Sequence, residues 1–235
     1  GDVYKRQTYT AADRSEKTDL FGDICDAFDK ANEAGTATVT LCSDITDTHL
    51  REIRSIGENI TLDLNGKQLD ISGFTLAVFD GTLTVNGNGF LDGLDVYGGT
   101  AEIQGGTIRN FLVGGGTAVI RGGAFVSLQV NTDETAAELL EKGYGYKDKN
   151  NNWLSIADRE KTELSYVSVE EAPIKSATIS AKDESPLIYR NGNQQVEFNA
   201  EVTYSEGETL YVTRCLIDGT VIRDKTVYYL SLIHI

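Results

Sequence analysis

Methionine is absent from this chain of 235 residues, and proline, histidine and tryptophan are scarce, at 2, 2 and 1. The missing methionine fits an internal piece of a longer protein. Three cysteines, Cys25, Cys42 and Cys215, are too few and too scattered for a disulfide framework. A zinc site is excluded as well, since it needs Cys or His at short spacing. Cys25 and Cys42 could pair if a first helix packs on a first strand, or could be buried thiols. Basic residues are outnumbered, 21 against 36 acidic, for a net charge of −15. Nucleic acid and anionic membrane surfaces need basic patches, so neither is expected as a partner. The acid balance instead suits solubility outside the cell. No apolar run approaches the roughly 18 residues of a membrane span. Calcium-binding repeats of the Gly-Gly-x-Gly-x-Asp type are also missing. No cofactor or metal is therefore expected.

The two ends carry a signal of another kind. Asp2-Val3-Tyr4-Lys5-Arg6-Gln7 back-translates to GATGTGTATAAGAGACAG, and the reverse complement of that string encodes Leu230-Ser231-Leu232-Ile233-His234-Ile235. Unrelated protein termini should not be reverse complements. The DNA resembles the transposon end used to prepare sequencing libraries, so residues 1–7 and 230–235 are expected to be adapter-derived and are kept out of fold reasoning.

What the chain does have is glycine, 24 residues of it, and a repeat. Gly81-Thr82-Leu83-Thr84-Val85-Asn86-Gly87, Gly99-Thr100-Ala101-Glu102-Ile103-Gln104-Gly105 and Gly116-Thr117-Ala118-Val119-Ile120-Arg121-Gly122 align without gaps, 18 and then 17 residues apart. Ile60-Thr61-Leu62-Asp63-Leu64-Asn65-Gly66 is the same unit 21 residues earlier, and Thr38-Val39-Thr40-Leu41 precedes it. Four ladders follow: Leu64/Val85/Ile103/Ile120, Leu69/Phe90/Ile108/Phe125, Leu76/Leu94/Phe111/Leu128 and Val78/Val96/Val113/Val130. Within each run, apolar and polar residues alternate, the period of a strand with one buried face. Gly, Asn and Asp mark the turns between runs.

Such short strands bury too little alone. Stacked one per coil, each bonds to the coils above and below, and like residues stack on like. An antiparallel meander would not need ladders at constant offsets. The expected fold is all-β: a short single-stranded right-handed parallel β-helix over residues 8–154. The stripe Leu20, Ile24, Ala27, Phe28 and Ala31, ending at Gly35, predicts an N-terminal capping helix over 18–34. A short helix over 133–142 and a hairpin from Tyr144-Gly145-Tyr146 through Asn150-Asn151-Asn152 to Trp153 are expected to cap the other end. Residues 155–175 read as a linker or crossing strand. Three alternating strands within 176–229 suggest a partial β-sandwich.

The helix pattern, the coil starts at Gly122-Gly123-Ala124-Phe125, and the closing Leu139-Leu140-Glu141-Lys142-Gly143-Tyr144-Gly145-Tyr146-Lys147-Asp148 together resemble a known family. It is the pectate-lyase-like β-helix module of large secreted or wall-attached proteins of gut Gram-positive bacteria. The later strands resemble a bacterial immunoglobulin-like domain, with Cys215 where such domains usually hold a core Trp. The resemblance implies an extracellular or wall-associated location, and function only weakly, because fold does not fix function.

Enzymes of this fold include polysaccharide lyases, which need a basic residue and calcium-binding acids, and hydrolases, which need paired carboxylates about 5–9.5 Å apart. Asp63 falls on an outward ladder, Asp80 precedes a turn glycine and Asp92 and Asp95 flank Gly93, so these and Asp70 read as surface carboxylates. No Lys or Arg lies within 68–108. His49 lacks a nearby nucleophile or metal partner. The expectation is a non-catalytic surface module: a monomeric spacer or adhesin element contacting glycan or a host surface protein. Trp153, Tyr144 and Tyr146 are the candidate glycan contacts, although a cap anchor is the structural alternative for Trp153. The alternative function is a remnant of a carbohydrate-active β-helix enzyme.

Overall fold

The computed structural model describes residues 5–10, 16–46, 52–71, 75–172, 174–181, 196–204 and 209–217. The chain divides into two compact units, Gly1–Ala172 and Pro173–Ile235. In the first, strands β1 (Lys5–Thr10) and β2 (Glu16–Phe21) form an antiparallel pair, and helix α1 (Ile24–Ala34) follows. Next come β3 (Thr36–Leu41), β4 (Ile45–Thr46), β5 (Ile53–Ser55), β6 (Asn59–Asp63), β7 (Gln68–Asp70), β8 (Leu76–Val78), β9 (Thr82–Asn86) and β10 (Phe90–Val96). The series continues with β11 (Thr100–Ile103), β12 (Thr107–Val113), β13 (Thr117–Ile120) and β14 (Ala124–Val130). A single 3-10 turn over Ala136–Leu139, β15 (Tyr144–Lys147), a one-turn helix α2 (Ile156–Arg159) and β16 (Glu163–Glu171) complete it.

From β3 onward the chain alternates between two sheets. One has the order β13-β11-β9-β6-β3-β1-β2, and β3 to β13 are parallel neighbours. The other has the order β15-β16-β14-β12-β10-β7-β4, with β8 beside β10 and β5 beside β8. Its strands are likewise parallel as far as β14. The inward side chains of both sheets join α1 in one apolar cluster, from Ile24 and Phe28 to Leu128 and Val130.

Two of the four predicted ladders stand as read. Leu76, Leu94, Phe111 and Leu128 are register partners, and Ile53 extends the row. Val78, Val96, Val113 and Val130 match too, with Ser55 as the added rung. The other two need correction. Leu62, not Leu64, pairs with Val85, and Leu91, not Phe90, pairs with Leu69 and Ile108. Leu62 and Leu64 are both fully buried, so alternation alone could not choose between them. Leu64 instead fills a corner kept open by glycine: a Cβ on Gly106, whose φ is +82°, would lie 2.5 Å from Leu64 Cδ1.

The ends also differ from expectation. Helix α1 starts later than residue 18, because Asp23 caps it by accepting the Cys25 N–H at 2.6 Å. Leu20 therefore lies in β2 and is exposed, while Ile24, Cys25, Ala27, Phe28 and Ala31 form the buried stripe. Cys25 is buried, Cys42 is exposed, and no disulfide joins them. The helix expected over 133–142 is only the turn Ala136–Leu139. Much of the expected linker is strand: β16 pairs antiparallel with both β14 and β15, and Leu164, Val167 and Val169 are buried. Tyr166 takes φ +54°, which breaks the alternation that would have announced this strand.

The second unit contains β17 (Ile174–Ala181), β18 (Val196–Tyr204) and β19 (Thr209–Ile217), paired antiparallel in chain order in one sheet. The three strands fall where they were read. Among the described residues they form a single sheet, not two facing layers, because each pairs directly with its sequence neighbour. His49, His234 and residues 218–235 lie outside the described residues, while Lys5–Gln7 fall within β1.

Candidate functional site

The outer face of the β5–β8–β10 strip carries the most distinctive cluster of side chains. One residue past the matched rungs Ser55, Val78, Val96 and Val113 stand Ile56, Phe79, Tyr97 and Gly114. The first three of these are 53%, 40% and 47% exposed. Phe79 and Tyr97 stack with ring centroids 5.6 Å apart and planes 28° from parallel. The Arg54 guanidinium carbon lies 5.3 Å from the Phe79 centroid, and its Nε donates to Glu52 at 2.7 Å. Asp95 Oδ2 accepts from the Tyr97 hydroxyl at 3.0 Å and from Thr75 Oγ1 at 3.1 Å. The hydrogen bond to Asp95, then its charge, burial and the charge of Glu52, hold the Tyr97 phenol above its ordinary pKa.

The row continues onto bare backbone. A Cβ on Gly114 would lie 3.5 and 3.6 Å from Tyr97 Cδ1 and Cε1, so the Tyr97 ring leans over a rung without a side chain. On the other side, Glu52 and Arg54 join Cys25, Phe28, Asp29 and Ile53 in lining a pocket of about 270 Å³ between α1 and β5. Two acids, Asp29 and Glu52, thus share one concavity, and Glu52 is held by Arg54.

The remaining charged groups serve the scaffold. Asp92 and Asp95 lie inside β10 and not in a turn, which corrects their sequence reading. Asp92 is buried and paired with Arg109 Nη1 at 2.7 Å, and the Arg109 guanidinium carbon lies 5.0 Å from the Phe90 centroid. Residues 68–108 lack a base of their own, yet Arg54 of β5 reaches the Phe79 ring and Arg109 of β12 reaches Asp92. Asp63 and Asp80 cap local turns through the Asn65 and Gly81 N–H groups. Asp70 lies in β7, with Gln68 Nε2 at 3.5 Å from its carboxylate. Arg121 bridges Glu102 and Glu141 at the far end. Among the described residues, no group of three or more His, Cys, Asp or Glu is placed to hold a metal. No helix among them is long and apolar enough to cross a membrane.

The three aromatic residues singled out by sequence do not form one surface. Tyr146 is fully buried and its hydroxyl donates to the Ala136 carbonyl at 2.9 Å, so it cannot meet a glycan. Burial pushes its phenol far above the ordinary value. Tyr144 is half-buried and packs on the core cluster. Trp153 is half-buried, bridged to Lys147 across a hairpin, with the Lys147 ammonium 4.6 Å from its ring centroid. The Phe79–Tyr97 pair escaped notice because the ladders drew attention to inward positions. The available signal was the exposed residue immediately after each Val rung. No protein-family model, no curated protein and no solved structure matches the chain.

Proposed function

We propose that the first unit is a right-handed parallel β-helix module of a bacterial surface protein, related to the pectate-lyase-like modules that its sequence resembles. On this reading it is non-catalytic and extracellular, and serves as a rigid spacer or adhesive element that contacts glycan or host protein. The second unit then begins an immunoglobulin-like domain. The observation that carries this reading is the matched register of two parallel sheets around one apolar interior. That arrangement supports a stiff, repeat-built scaffold. Incubation of the full chain with pectins, plant hemicelluloses and mucin glycans should release no new reducing ends and no unsaturated uronate. Release of either product that survives repurification would sink the reading.

A second reading, a carbohydrate-active enzyme remnant, is favoured by one observation: Asp29 and Glu52 share the pocket beside α1. Paired acids are what glycoside hydrolysis requires. If turnover is found, Glu52→Gln should abolish it.

A further inference from the structure

The exposed aromatic row ends on an unfilled rung. Successive rungs of a sheet are about 4.8 Å apart, and the rung after Tyr97 is Gly114, followed by Gly115 and Gly116. The ring face of Tyr97 therefore borders a slot one rung thick, floored by backbone alone. Ile56, Phe79 and Tyr97 form a contiguous exposed apolar row, and such a patch marks an interaction site where isolated exposed residues do not. Phe79 and Tyr97 directly follow β8 and β10, and their backbone N–H groups donate to the Ser55 and Val78 carbonyls at 3.0 and 2.9 Å, so the backbone under both rings is already fixed before binding.

The polar groups around the slot narrow its ligand. Among the described residues, Asp95 offers Oδ1 as a further acceptor, since the Tyr97 and Thr75 hydroxyls both donate to Oδ2. A second carboxylate, Glu52, stands close by, and among the described residues the cation beside it, Arg54, is held by Glu52 and by the Phe79 ring. The local field therefore disfavours an anion, and the chain as a whole carries −15. What fits is a flat, uncharged ring with an apolar face for Tyr97 and hydroxyl groups for Asp95.

We propose that the Tyr97 face over Gly114, backed by Phe79 and flanked by Asp95, is a subsite for an uncharged pyranose of a glycan chain. This rests on the surface-module reading and gives its glycan contact a location away from Trp153. Tyr97 supplies the stacking face, and Asp95 accepts a sugar hydroxyl and so fixes the orientation. A single subsite of this size implies a Kd of about 1 mM or somewhat tighter.

The test uses the full chain with cellohexaose, mannohexaose and xylohexaose as neutral probes and hexagalacturonate as the anionic counterpart. Binding is read by saturation-transfer NMR and calorimetry. At least one neutral probe should bind, and hexagalacturonate should not. Tyr97→Ala should weaken binding by about tenfold or more, the loss of roughly 1.4 kcal/mol. Asp95→Asn should weaken it less.

Gly114→Phe is the sharper variant, because its Cβ meets only ordinary contacts and its ring would fill the slot. It should abolish binding with the circular dichroism spectrum unchanged, and it keeps the test decisive even if Tyr97→Ala misfolds. Trp153→Ala should leave binding intact. The proposal fails if no neutral probe binds, or if only hexagalacturonate does. Binding that survives both Tyr97→Ala and Gly114→Phe overturns it, as does binding lost in Trp153→Ala but kept in Tyr97→Ala; in both cases the surface-module reading survives. A Tyr97→Ala effect on self-association in sedimentation, without one on glycan, also refutes it. Turnover of a bound probe would instead overturn the non-catalytic reading and leave the subsite standing.

Discussion

Phe111 offers the most searching test of the stacked register. It sits in β12, is 1% exposed, and stacks on Phe125 of β14 with centroids 5.5 Å apart and planes 24° from parallel. Phe111→Ala removes a whole ring from a sealed interior, and such truncations cost about 3–5 kcal/mol. Of that, about 0.5–1.5 kcal/mol belongs to the ring pair and should appear as coupling in a cycle with Phe125→Leu. Neighbouring strands support one another, so the loss should be felt first at the C-terminal end. The sole tryptophan, Trp153, lies on that closing hairpin and supplies a local probe. Urea unfolding followed by Trp fluorescence and by far-ultraviolet circular dichroism should show the fluorescence midpoint falling at least as far as the dichroism midpoint. The adjacent Leu112 is half-buried and points the other way, so Leu112→Ala should cost about 1 kcal/mol or less. Equal costs at 111 and 112 would refute the alternation, and zero coupling between Phe111 and Phe125 would refute the ring contact between β12 and β14.

Other expectations are more local. Gly81 has φ +63°, and a Cβ there would lie 2.0 Å from the Gly57 carbonyl oxygen; Gly81→Ala should lower the melting temperature sharply, whereas Gly22→Ala, with nothing within 4 Å, should not. Asp23→Ala removes the cap of α1 and should cost about 0.5–2 kcal/mol in chemical denaturation. Arg109→Leu leaves the buried Asp92 carboxylate without its partner; Asp92→Asn in the same background should recover part of the loss in a double-mutant cycle. The Asn152 and Asn150 backbone N–H groups hold the Asp148 carboxyl below its ordinary value, so the turn is supported above that range and loosens as pH falls through the lowered value. The Asn150 and Asn152 amide shifts should follow that titration in NMR spectra.

Much of the first unit was legible because its constraint is periodic. A Val that must stack on Val at 78, 96, 113 and 130 leaves a spacing that survives any ambiguity in the turns. The failures occur where period-2 alternation permits two answers. Leu62 and Leu64 satisfy the same pattern, and Leu64 goes to the corner that Gly106 and Gly89 keep open; Phe90 and Leu91 are adjacent apolar residues on opposite faces, so either phase of the alternation could be read. β16 was hidden for a different reason: it pairs antiparallel with strands far away in sequence, and its positive φ at Tyr166 shifts the inward face midway. Asp92 looked like a turn residue because it neighbours Gly93, yet Arg109 of β12 makes its burial tolerable.

The aromatic row was missed because it lies outside the buried ladders. Inward positions are dictated by the core, so a Leu or Val there says nothing about function. Outward positions one step past a strand are not dictated by the core, so an aromatic at 79 or 97 is set by its surface neighbours. An aromatic pair in such a place brings an aggregation liability without improving the core. Its position beside Asp95 and a glycine rung is what a ligand outside the chain would use. That asymmetry between the buried inner rows and the exposed outer one is why Phe79 and Tyr97, and not the buried Tyr146, merit the first substitutions.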